Sequence, residues 1–173
     1  QLQAAGKVGM LINTDRSDES VAQALRQAIS YRTEAAIILS GMPDTSLAEI
    51  CLRNGMRLVL INRDEERAGT LQLRLDDAAA GHQAFAALFA AGCRRMAFAS
   101  SLAGTPSLED RRKGFAAAAA DAGLALIEDA SGMTSYQTGL DVGMRLLTRP
   151  DRPDGIFCST DLIACGVLDA ARQ

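Results

Sequence analysis

Arg111 opens the run Arg111-Arg112-Lys113-Gly114-Phe115, and its chemistry is set by the residues on either side. An apolar, strand-like stretch from Met96 to Ser100 comes first, then a loop from Ser101 to Pro106. Helix-forming residues follow from Ala116 to Ala122 and stop at Gly123. An arginine in the first turn of a helix, just past the carboxyl end of a buried strand, directs its guanidinium into the crevice where open α/β sheets bind ligands. Its planar fork of donors suits hydroxyls or carboxylates gripped in pairs. Arg111 is therefore the anchor of a candidate small-molecule site.

Other reactive constellations are missing. No G-x-G-x-x-G opens a helix after a strand, no phosphate-cradling G-x-x-x-x-G-K-[ST] is present, and no G-x-S-x-G elbow exists. The carboxylate pairs Asp76-Asp77 and Glu65-Glu66 are sequence neighbours, poorly placed for joint acid–base work, and are read as helix capping and solvation. Cys51, Cys93, Cys158 and Cys165 show neither C-x-x-C nor metal-like spacing and are expected to stay reduced, as small hydrophobes. His82 has no second ligand nearby, so no metal and no cofactor are expected, and an enzyme is disfavoured.

The elements that must position Arg111 follow a repeating order. Strands are expected at Val8 to Asn13, Ala35 to Leu39 and Arg57 to Asn62, with an edge strand over Leu71 to Leu75. Between the first two lies a helix whose apolar face is Val21, Ala24, Leu25, Ala28 and Ile29; between the next two is a short helix with Ser46 and Glu49 as a capping box and Gly55 at its end. Strands that are apolar throughout are buried on both faces, which means a parallel sheet flanked by helices. Asn13, Ser40 and Asn62 close or follow these strands on one sheet edge; a binding edge and simple strand termination account for them equally well.

The pattern then restarts. Asp76-Asp77 caps a helix over Ala79 to Ala91 with Ala80, Phe85, Leu88 and Phe89 inward. Strands are expected at Met96 to Ser100, Leu124 to Ile127 and Ile156 to Cys158, and helices from Leu108, over Tyr136 to Leu147 and over Leu162 to Ala171. Ser107 and Asp110 form a second capping box. Two α/β lobes result, residues 1–75 and 76–173.

The chain has 173 residues, 48% of them apolar, enough for a core. A net charge of -3 and a pI near 5.2 argue against a nucleic-acid surface on this stretch. No apolar run is long enough to span a bilayer, and the first residues lack a signal peptide's basic and apolar regions, so a cytoplasmic chain without membrane contact is expected.

Several stretches, in order, resemble the effector-binding core of LacI/GalR-family transcriptional regulators. They are Leu58 to Arg63; Asp76-Asp77 with Gly81, Leu88, Gly92 and Arg94 to Phe98; the R-x-x-G-F of Arg111 to Phe115; and Pro153 to Asp161 with Ala164 and Gly166. The resemblance implies an α/β, two-lobed periplasmic-binding-protein-like fold, incomplete at both ends, with a small-molecule effector between the lobes. It also implies a DNA-binding head before Gln1 that meets operator DNA, and a homodimer. Arg111 falls on the family's effector-binding arginine, and Ser107 on a loop residue that often touches ligand, although capping explains it as well. Asn62, with Arg63 beside it, and Ser40 line the same cleft. Two positions depart from the family pattern. Thr160 stands where asparagine is common, and Thr134 where an aromatic ring often stacks on a sugar, with Tyr136 nearby. The implied function is effector sensing in a DNA-binding repressor; the alternative is a solute-binding protein of a transporter.

Overall fold

The computed structural model describes residues 2–15, 17–39, 45–61 and 69–173. The chain forms two compact units, Gln1–Arg74 and Leu75–Gln173.

In the first unit, α1 (Asp18–Ser30), β1 (Ala35–Ile38), α2 (Thr45–Arg53), β2 (Arg57–Ile61) and β3 (Thr70–Leu73) follow one another. The strands form a parallel sheet in the order β1-β2-β3. α2 is the crossover from β1 to β2, and α1, which precedes β1, packs into the same core. The core accordingly gathers Val21, Leu25, Leu47, Cys51 and Met56 against Ile38, Leu58 and Leu60. Burial on both faces, expected from the apolar strands, is not found here among the described residues. Ile37, Leu71 and Leu73 are exposed, because no described helix returns to the opposite face.

The expected strand over Val8 to Asn13 is also not formed; Val8 is 97% and Leu11 84% exposed. Apolar, β-prone residues make a strand only when a neighbour completes their ladder of hydrogen bonds, and no described residue does so. The capping box at Ser46 and Glu49 fails for a different reason. The helix is already running at Thr45, and Glu49 turns to Arg53 at 3.0 Å.

The second unit comprises α3 (Asp77–Ala90), β4 (Met96–Ser100), α4 (Pro106–Asp121), β5 (Leu126–Ala130), α5 (Tyr136–Leu147), β6 (Gly155–Cys158) and α6 (Asp161–Ala170). Its parallel sheet has the order β5-β4-β6. The chain steps one way from β4 to β5, then doubles back past β4 to β6. With right-handed crossovers, α4 and α5 must fall on opposite faces. Alternate residues of β4 serve two cores: Met96 and Phe98 meet Phe85, Phe115 and Ala119, while Ala97 and Ala99 meet Val142, Leu146, Ile163 and Val167. Aromatic rings knit the first of these, with Phe115 and Phe157 centroids 5.1 Å apart. The expected inward face of α3 narrows to Asp77, Gly81, Phe85 and Leu88; Ala80 and Phe89 lie outside it.

β5 begins two residues later than expected and runs on through Glu128 and Asp129. Gly123 adopts a left-handed turn (φ 70°), and the Leu124 amide still donates to Ala119 of the preceding helix. As an edge strand, β5 tolerates the two carboxylates that hid it from a hydrophobicity pattern. Among the described residues, no helix is long and apolar enough to cross a membrane. All four cysteines are free, and burial pushes the Cys158 thiol up to about 11.

Candidate ligand site at the carboxyl edge of the second sheet

Neighbouring strands β4 and β6 send their following helices to opposite faces, which opens a crevice beyond their carboxyl ends. Arg111 lies across that point. It sits on the helix that follows β4, and its Nη1 donates to the carbonyl oxygen of Ser159, just past β6, at 2.8 Å. Its Nε donates to Asp77 Oδ1 at 2.7 Å. Asp77 is only 5% exposed, whereas the Arg111 side chain keeps 26% of its surface in solvent. Two donors are therefore fixed inward, and among the described residues Nη2 has no hydrogen-bond partner.

The helix crossing beneath the pair sets this geometry. A Cβ added at Gly114 would run into the Ala78 carbonyl oxygen, and one at Gly81 into that of Arg111. Only glycine at both positions lets α3 and α4 approach so closely. Asp77 lies one turn before Gly81 and Arg111 one turn before Gly114, so the crossing brings the carboxylate to the guanidinium.

Asp77 corrects the sequence reading, in which both aspartates were helix caps. Asp76 alone caps, accepting from the Ala79 amide at 2.9 Å, and Asp77 turns inward to bind Arg111. Sequence reasoning missed it as a site residue. The signal available was the matched spacing of each charge to its crossing glycine.

The second capping box is corrected too. The N-cap of α4 is Thr105 with Pro106 in the first helical position, because proline's missing N–H and fixed φ suit that place. Ser107 is half-buried within the first turn, one turn ahead of Arg111. Thr160, adjacent to the Ser159 carbonyl, caps α6 by accepting from the Ile163 amide at 3.4 Å. The bond is long, so Thr160→Ala is expected to cost only about 0.5–1 kcal/mol of stability, read as a small shift of the urea midpoint. Thr134 is drawn elsewhere: its hydroxyl pairs with Ser101 at 2.7 Å, on the β5 side. Tyr136 donates its hydroxyl to Asp169 at 2.9 Å, and that bond raises its pKa. Ser40, Asn62 and Arg63 lie outside the described residues.

Behind the site, Ser100 donates to the Ser159 hydroxyl at 3.0 Å, a buried link that ties the ends of β4 and β6. On the β5 flank, Arg112 is held by Glu109, at 2.7 and 2.9 Å, and by Glu128 at 3.1 Å. The Arg112 hydrogen bonds keep the Glu109 carboxyl below its ordinary pKa. A groove of about 310 Å³ lies there, lined by Phe98, Ser101, Leu108, Glu109, Arg112 and Glu128. Among the described residues no cluster of histidine, cysteine or carboxylate side chains could hold a metal ion. The arrangement around Arg111 suits binding of hydroxyl or anionic oxygens.

Comparison with known proteins agrees with this architecture. The chain is 24% identical over 167 residues to catabolite control protein A of Priestia megaterium, covering 95% of this chain and 50% of that protein. Among solved structures, the Cra transcriptional dual regulator of Pseudomonas putida, in complex with fructose 1-phosphate, superposes with a TM-score of 0.82 at 19% identity, over 98% of this chain and 64% of its own. A LacI-family transcriptional regulator from Enterococcus faecium with bound ribose gives 0.81 at 21% identity, over 99% and 62%. The chain thus spans half the length of the curated relative it matches. The family of periplasmic binding proteins and sugar-binding domains of the LacI family matches residues 2–173, and the chain belongs to it.

Proposed function

We propose that the chain is the effector-sensing part of a LacI-family transcriptional regulator, and that Arg111 receives the oxygens of a sugar or similar polar metabolite. The observation that carries it is the partly exposed guanidinium at the sheet's switch point, braced from within by Asp77 and the Ser159 carbonyl. A braced arginine presents its remaining donors in a fixed direction, so little side-chain entropy is lost when a ligand arrives. Ser107 and Thr160 flank it as further contacts from the second unit. Ser40, Asn62 and Arg63 are retained as contacts from the first unit, and Thr134 as a contact beside Ser101, on sequence grounds. Residues 1–75 and 76–173 serve as the two lobes.

In this role the chain binds and does not catalyse. It works in the cytoplasm as part of a homodimer that reaches operator DNA through a separate head domain. A ligand alters operator affinity only by binding two arrangements of the protein unequally. Thermal melting of the intact protein with common pentoses, hexoses and their monophosphate esters tests the sensing step. A ligand that binds only the native state at 100 times its Kd stabilises it by about 2.7 kcal/mol. At least one compound is expected to raise Tm; a flat response across the panel refutes the proposal.

A further inference from the structure

We infer that Glu128 and Asp129 guard the open edge of β5 against pairing with the same strand of a second copy of this chain. Among the described residues β5 pairs with β4 alone, so the backbone groups on its outer side meet no strand. An edge of this kind is a template on which another strand can add.

Two adjacent carboxylates stand within that edge. Glu128 lies in register with Phe98 and Asp129 with Ala99, inside the paired stretch and not at its ends. Neighbouring strand residues point to opposite faces, so one charge reaches each side of the sheet. On the α4 face, Arg112 Nη1 donates to Glu128 at 3.1 Å. On the α5 face, Arg145 donates to Asp129 at 2.7 and 3.1 Å. Both pairs stay wet, with Glu128 43% and Arg145 48% exposed. A strand added here would strip water from charges on both faces, which is costly. A second β5 laid antiparallel would also bring its own two carboxylates close to these, and like charges across a strand pair repel. The remaining outer strands differ. β1 (Ala35–Ile38), β3 (Thr70–Leu73) and β6 (Gly155–Cys158) contain no charged residue. Carboxylates are therefore particular to the β5 edge.

Sedimentation velocity and hydrogen exchange of the intact protein, below the melting transition of each variant, test this. Glu128→Val combined with Asp129→Val should form larger species at concentrations at least about tenfold below any at which the unaltered protein does. Amides of residues 126–130 should become protected in those species. Arg112→Met combined with Arg145→Met breaks the same ion pairs but leaves both carboxylates on the edge, so its size should match that of the unaltered protein. Should the valine pair not fold, Glu128→Thr alone, at the more exposed carboxylate, carries the same expectation. An unchanged size without the carboxylates overturns the inference. Equal association of the valine and methionine pairs overturns it too, because lost ties to the helices would then suffice. So does association that leaves residues 126–130 exchanging as before.

Discussion

Arg111→Ala is expected to weaken sugar binding by about 2–5 kcal/mol, the range for truncating one member of a buried, hydrogen-bonded charge pair. Two losses follow. The ligand's oxygens lose their donors, which lowers affinity, and Asp77, 5% exposed, is left without its partner at 2.7 Å. The second loss is the same with and without ligand, so it falls on folding. A fully buried ion pair broken on one side costs about 3–5 kcal/mol. Arg111 retains 26% exposure, so water can enter beside Asp77, and about 2 kcal/mol is the better expectation. Urea unfolding and calorimetry on the same variant separate the two effects. Arg111→Lys keeps the charge and loses the fork, so it should recover stability more than affinity. Affinity unchanged in both variants would remove Arg111 from the site.

Gly114→Ala carries the second large effect. The new methyl would run into the Ala78 carbonyl, a backbone atom that cannot rotate away, and α3 and α4 would have to separate. Overpacking of this kind costs about 1–3 kcal/mol. Alanine's better helix propensity returns about 1 kcal/mol. A net loss of about 2 kcal/mol is expected because a rigid carbonyl places the clash at the upper end. Ligand affinity should fall as well, since the same crossing brings Asp77 to Arg111. Gly104→Ala is the control: its Cβ would meet nothing within 4 Å, and both readouts should stay near the unaltered values. Equal behaviour of the two variants would show that the close crossing does not govern the site.

The sequence made some of this legible and concealed the rest for physical reasons. Strands buried on two faces announce themselves, and β4 lies where its unbroken apolar run puts it, Met96–Ser100. β5 was misplaced because an edge strand can carry Glu128 and Asp129, which read as a loop. Val8 to Asn13 was misread in the other direction, since apolar character says nothing about whether a partner is at hand. Arg111 was identifiable from its place after a strand. Asp77 was not, because a capping residue and an ion-pair partner look alike until two helices are brought together.

The carboxylate that braces Arg111 sits two residues past Leu75, where the second unit begins. Any pull a bound molecule exerts on the guanidinium is therefore delivered almost directly to the polypeptide as it enters that unit, with no need to travel through either hydrophobic layer. Asp77 is thus both the inner partner of Arg111 and the first residue of α3, close to where the second unit starts.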